Sequence, residues 1–160
     1  MAFTGILTLV NDTINANFAS NGGGIFWAAF GGSMVTVQNS IIAADFIANG
    51  GAGVDLDGPS GPFIDLGSNL IGVAGDANSG FRAATTQTGT LAHPLDPMLA
   101  ALGNYGGPRI GAPGSMLVLE TEAPLHSSPA HGKGIKSGAP ATDERGMPIT
   151  TMVPVGAVNG

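Results

Sequence analysis

The chain has 160 residues, including 27 Gly, 11 Pro and no Cys, with 43% hydrophobic and only 10% charged residues. A mean hydropathy of +0.28 with so little charge opposes the signature of disorder, so one folded domain with a core is expected, its surface covered by Ser, Thr, Asn and Gly. A pI near 4.6, no Lys or Arg before Arg82 and no cysteine exclude a nucleic-acid or anionic-lipid surface, a disulfide framework and a thiolate zinc site.

The first five residues carry neither a basic n-region nor an apolar h-region, so no signal peptide is visible. The most apolar stretch, residues 25–37, is broken by Gly31, Gly32 and Ser33 and falls short of the ~18 apolar residues that span a bilayer. No membrane insertion is expected in this segment.

Strand-like alternation begins at Leu7. Leu7, Leu9 and Asn11 share one parity and Ile14, Ala16 and Phe18 the other, which reads as two short strands meeting at a sharp corner after Asn11. Asn21-Gly22-Gly23-Gly24 supplies the next bend, where Gly and Asn tolerate positive φ. Shifted by 28 positions the pattern returns, with identical pairs at Thr8/Thr36, Asn11/Asn39, Ile14/Ile42, Ala16/Ala44, Phe18/Phe46 and Asn21/Asn49. Self-similarity at a fixed period of this length marks stacked repeats. A weaker third copy places Asn69, in Leu66-Gly67-Ser68-Asn69-Leu70-Ile71, beneath Asn39 at a spacing of 30.

These features predict an all-β chain folded as a right-handed parallel β-helix, a solenoid, with an irregular Pro/Gly-rich C-terminal cap. Its coils occupy residues 1–72, with repeats near 7–34 and 35–62 and a partial one at 63–72. Stacking at about 4.8 Å would align Asn11, Asn39 and Asn69 into a hydrogen-bonded ladder, with Phe18 over Phe46 and Ile14 over Ile42 as apolar stacks beside it. The hand follows the general preference for right-handed parallel crossovers. The alternative is an antiparallel β-sandwich, which shares the short alternating strands but gives no reason for identity at a constant offset.

Residues 73–93 form a Gly/Ala/Thr-rich connection, and residues 94–160 a tail in which prolines from Pro94 to Pro154 allow at most a turn or two of helix at 97–102. The tail is expected to wrap or cap the last coil, whose free N–H and C=O groups need cover. The N-terminal coil has no such cover and is expected to associate with another β-helix chain.

At this level the chain resembles the C-terminal part of bacterial surface proteins carrying the choice-of-anchor Q domain. The resemblance runs through Leu9-Val10-Asn11-Asp12-Thr13-Ile14, Asn39-Ser40-Ile41-Ile42 and Leu66-Gly67-Ser68-Asn69-Leu70-Ile71-Gly72. It continues in Asn104-Tyr105-Gly106-Gly107-Pro108, Ser128-Pro129-Ala130 and Thr142-Asp143-Glu144-Arg145-Gly146, with His131 and Gly132 standing where the family has Ile and Asp. It implies a pectate-lyase-like parallel β-helix and an extracellular or cell-surface location. Neither signal peptide nor anchor is seen here, so the chain reads as a fragment of a longer exported protein.

Asp55, Asp57 and Asp65 are the candidates for acid chemistry, because β-helix lyases and hydrolases use paired carboxylates, and a groove bringing them near Arg82 would suit a polysaccharide. Asp55-Leu56-Asp57-Gly58-Pro59 is equally an Asx-turn composition. Calcium is the alternative use of Asp55 and Asp57, in a cross-coil site, since Leu66 and Gln87 stand where EF-hand loops counted from Asp55 and Asp76 need Glu. No other cofactor is expected. His126 and His131 lie five apart on a Pro-containing loop and read as surface histidines. Trp27 is the candidate sugar-stacking residue if exposed on a flank, and a core or interface residue otherwise. Arg145 is placed to brace the tail through Asp143. The expectation is a noncatalytic structural or adhesion module meeting surface polysaccharide or another β-helix chain, with an enzyme and a calcium-stabilised scaffold as alternatives.

Overall fold

The computed structural model describes residues 5–27, 32–48, 55–58, 63–75 and 80–149. Phe30 and the bend at Asn49-Gly50-Gly51 lie outside them. In chain order the strands are β1 (Ile6–Val10), β2 (Thr13–Ile14), β3 (Phe18–Ala19), β4 (Ile25–Phe26), β5 (Met34–Gln38), β6 (Ile41–Ile42) and β7 (Phe46–Ile47). There follow β8 (Leu56–Asp57), β9 (Phe63–Asp65), β10 (Leu70–Ile71), β11 (Gln87–Thr88), β12 (Arg109–Ile110) and β13 (Leu117–Val118). Among the described residues the structure is all-β, without an α-helix.

Four sheets are parallel. They run β1-β5-β9, β2-β6-β10-β11, β3-β7 and β4-β8, and only β12-β13 is antiparallel. This pairing excludes the antiparallel sandwich. The register places Thr8 beside Thr36, Ile14 beside Ile42 and Phe18 beside Phe46, so the residues alike in type at an offset of 28 are also neighbours in space. The β-branched and aliphatic content of β1 and β5 favours the pleat, and its period of two turns Val35 and Val37 inward.

Core packing explains why two-residue strands persist. Val35, Val37, Ile42, Leu56, Phe63 and Ile71 form one cluster, with Leu7, Leu9 and Ile14 packed at its edge. Ile41, Ala43 and Leu70 form a second with Ala130 of the tail. Neighbours Ile41 and Ile42 point to opposite faces yet both are fully buried, so this sheet is covered by the core on one side and by the tail on the other.

The corners carry left-handed residues: Asn11 and Asn39 at φ +60° and +49°, then Ala16 and Ala44 at +54° and +59°. Asn adopts this region readily, whereas Ala carries a Cβ penalty there. Both alanines are exposed, so no packing is lost by trimming them. Ala44→Gly is therefore expected to stabilise the fold by about 1 kcal/mol, read as a higher urea midpoint at unchanged slope.

Two expectations require correction. Asn69 is not the third member of the Asn11–Asn39 series. The offset grows from 28 at Val37↔Asp65 to 29 at Ile41↔Leu70, so the third corner holds one extra residue, and Gly67 (φ +99°) and Ser68 (φ +55°) make the turn. Asn69 consequently lies beside Ser40, accepting its N–H at 2.9 Å and donating to the Val37 carbonyl and to Asp65 Oδ1. Phe18 and Phe46 are paired in register, but on the outside, 73% and 57% exposed, and not beside the buried asparagines. The chain passes a second left-handed residue, Ala16 or Ala44, before each phenylalanine, and that resets which parity faces out.

The described part of the tail runs back along the corners. The Leu95 N–H donates to the Gly72 carbonyl at 2.9 Å, and Gln87 Nε2 donates to the Pro129 carbonyl at 2.9 Å. Further on, Asn39 meets Ile135 twice, Nδ2 donating to its carbonyl at 2.7 Å and Oδ1 accepting its N–H at 2.9 Å, and Gln38 Nε2 donates to the Ser137 carbonyl. The tail thus meets β11 first and the β5–β6 corner later, opposite to the chain order of the strands. Between these anchors residues 99–124 form an antiparallel ribbon, bridged at Leu99–Pro124 and Gly103–Thr121 and tipped by β12 and β13.

Candidate functional site

The acidic residues singled out from sequence hold backbone. Asp55 is 1% exposed, its Oδ1 accepting the Asp45 N–H at 2.7 Å and its Oδ2 the Val73 N–H at 2.5 Å. Asp45 in turn accepts the N–H and Nδ2 of Asn17 at 2.8 and 2.9 Å, while its Oδ2 has no partner among the described residues. Burial pushes the Asp55 carboxyl up to about 6, the Asp45 charge adding to the effect and the two accepted N–H bonds opposing it. Burial likewise raises Asp45, against its bonds to Asn17.

Asp65 is committed on both oxygens. Oδ1 accepts from the Gly67 N–H, Asn69 Nδ2 and Thr86 Oγ1, and Oδ2 accepts the Ala83 N–H at 2.8 Å. The residue after Arg82 thus touches Asp65, but through its backbone. Asp57 accepts the N–H of its own neighbour Gly58. Glycoside hydrolysis needs two carboxyls facing a sugar across a gap of roughly 5–9.5 Å, whereas each oxygen of Asp55 and Asp65 already accepts a hydrogen bond from the protein itself.

The remaining candidates are placed as follows. Trp27 is half-buried against the core cluster, its ring edge-on to Phe63 at 6.4 Å, and its indole N–H is buried without an acceptor among the described residues. This is a packing position and not a flat face on a flank. His126 and His131 stack edge to face at 5.0 Å. No three His, Asp or Glu side chains converge to metal-binding distance among the described residues. Arg145 binds Asp143 through Nε and Nη2 at 2.8 and 2.6 Å, both on Oδ2, while Asp143 Oδ1 accepts the Arg145 and Met147 N–H groups.

A concave feature lies elsewhere among the described residues. A cavity of 920 Å³ opens between the β1–β2 corner, residues 10–17, and the part of the tail that passes it. Its wall carries Asp12, Glu120, Glu122, Asp143 and Glu144, and no Lys, Arg or His. Asp143 is paired with Arg145 and Asp12 Oδ2 accepts the Val10 N–H at 2.8 Å, while Glu120, Glu122 and Glu144 complete the acidic lining. Burial raises the Glu144 carboxyl above its ordinary value, with the charges of Asp143 and Asp12 adding and Arg145 opposing. Thr121, 5% exposed, also lines the cavity, and its hydroxyl is buried without a partner among the described residues. Val10, Ile14, Leu102, Leu119 and Ile149 supply apolar wall between these groups.

Glu120 and Glu122 were not among the candidates read from the sequence, and Glu144 entered only within Thr142-Asp143-Glu144-Arg145-Gly146. The alternation Glu120-Thr121-Glu122 was the available signal, since it sets two carboxylates on one side of an extended segment. No helix among the described residues is long and apolar enough to cross a membrane. No family model matches this chain, and neither a curated protein nor a solved structure does.

Proposed function

We propose that the chain is a noncatalytic structural and adhesion module of an exported bacterial surface protein, wound as a right-handed parallel β-helix and clasped along one flank by its tail. The observation that carries the reading is the use of the buried carboxylates. Asp55 and Asp65 accept hydrogen bonds on both oxygens and Asp45 accepts from Asn17 on one, which ties neighbouring strands and turns together and supports a structural role. Parallel registers at offsets of 28 and 29 support the winding. The resemblance to choice-of-anchor Q proteins supports the location.

The test is excision of residues 12–39, which joins Asn11 to Ser40 and lets β1 take the place of β5 beside β9. A stack of similar units is expected to remain folded and cooperative with a lower midpoint, because each unit contacts only its neighbours. Complete loss of structure overturns the winding. In parallel, the intact chain is incubated with acidic and neutral polysaccharides. Turnover abolished by Asp57→Asn or Asp65→Asn in a folded variant overturns the noncatalytic reading.

A further inference from the structure

We propose that His126 and His131 form a two-imidazole site for a divalent transition-metal ion, which clips together the turn that docks the tail on the strands. The inference goes beyond the scaffold reading and stands independently of it.

Three observations converge. The first is spacing, since the ring centroids lie 5.0 Å apart. A nitrogen-to-metal distance of about 2.0–2.1 Å puts each imidazole centroid about 3.2 Å from the ion, so adjacent ligands of a square-planar or tetrahedral ion have centroids about 4.5–5.2 Å apart. Turning the exposed His126 ring about its Cβ–Cγ bond re-aims its nitrogens and leaves its centroid almost in place. The second is that the ring nitrogens are unspent: neither imidazole donates or accepts a hydrogen bond among the described residues, and the rings pack against each other instead. The third is that the turn between them is already held. Ser128 Oγ donates to the Pro97 carbonyl at 2.6 Å and accepts the Ala130 N–H at 3.1 Å, the Pro129 carbonyl accepts from Gln87, and the His131 N–H donates to the Ser128 carbonyl at 3.0 Å. Such a frame reduces the entropy lost in gathering the two ligands.

The donor set selects the metal. Imidazole suits copper, nickel and zinc, with copper bound most tightly, whereas calcium takes about six to eight oxygen ligands. Water completes the coordination shell. Ala130, which lies between the two histidines in the chain, is fully buried against Ile41, Ala43 and Leu70. An ion bridging His126 and His131 therefore closes a small ring around the residue that plugs the tail into the second core cluster.

Calorimetric titration of the tag-free chain with copper chloride, alone and in the presence of calcium chloride, tests the site. One copper ion per chain is expected to bind, without displacement by calcium. His126→Ala and His131→Ala are each expected to weaken it at least about tenfold, whereas His93→Ala, outside the pair, stays within about twofold. Neither histidine is buried, so both variants are expected to melt as the wild type does without metal. Electron paramagnetic resonance of the copper complex is expected to show coupling to two imidazole nitrogens, and to one in each variant. Saturating nickel is expected to raise the melting temperature of the wild type and of neither variant. Absence of copper binding, displacement by calcium, an equal loss in His93→Ala, unchanged affinity in His126→Ala or His131→Ala, or a single-nitrogen spectrum in the wild type overturns the site. Nickel binding that leaves the wild-type melting temperature unchanged overturns the clip.

Discussion

Asn39→Ala is expected to destabilise the protein by about 3 kcal/mol and to loosen the tail. The side chain is fully buried, exchanges two hydrogen bonds with the Ile135 backbone and donates to Asn11 Oδ1 at 3.3 Å. Truncation strands the N–H and C=O of Ile135, each costing about 1–3 kcal/mol if it stays dry, and it puts Ala at φ +49°, where Asn is better tolerated. Detachment of the tail lets water reach those groups, which limits the loss. Urea unfolding gives the free energy, and limited trypsin digestion gives the local consequence, because Lys133 and Lys136 flank Ile135. Cleavage at these two lysines is expected to accelerate well before global unfolding. Asn39→Asp tests the geometry: one carboxylate oxygen still accepts the Ile135 N–H, but the other faces the Ile135 carbonyl, so it is expected to destabilise as well. Wild-type stability and digestion in both variants would show that Asn39 does not hold the tail.

The second large effect is on pH dependence. Asp55 has a folded-state pKa of about 6 against 3.8 for the free side chain, so the folded chain binds this proton more tightly than the unfolded one. Its contribution is fully present below about pH 4 and is lost as pH rises to 6, amounting to about 3 kcal/mol across that window. The melting temperature is therefore expected to fall between about pH 4 and 6.5, the reverse of a chain held by exposed ion pairs. Asp45→Asn removes the neighbouring charge and the unpartnered Oδ2 while keeping an oxygen for Asn17. It is expected to raise stability at neutral pH and flatten the slope. Thermal unfolding followed by circular dichroism from pH 4 to 8 reads both, and a wild-type melting temperature that rises through this range contradicts the assignment to Asp55.

Much of the backbone arrangement was legible in the amino-acid order, because parallel neighbours inherit the offset of the residues that resemble each other. Leu7 beside Val35 and Ile14 beside Ile42 follow from that offset directly. The third corner did not, since a single additional residue at Gly67 and Ser68 moves Asn69 from the corner to its neighbour's place, and an inexact match at a spacing of 30 hides the slip. The facing of Phe18 and Phe46 was hidden for a related reason: alternation gives two faces per strand, and only the turn before it decides which one is wet. The acidic wall was illegible for a third. Asp12 and Glu144 are 132 positions apart, and only the tail's return path brings them to one space. Asp55 was picked out within a turn-like composition, which does not reveal that both of its oxygens end up on backbone donors.

The return path of the tail couples the length of the tail to that of the strand stack. Its anchors at Gln87 and Asn39 are fixed to different strands of the body, so inserting a unit between those strands would part the anchors by about 4.8 Å. Duplication within the body alone would leave one attachment out of reach. Lengthening of such a molecule requires matched changes in both segments, and the tail acts as the gauge that sets how many stacked strands lie between its anchors.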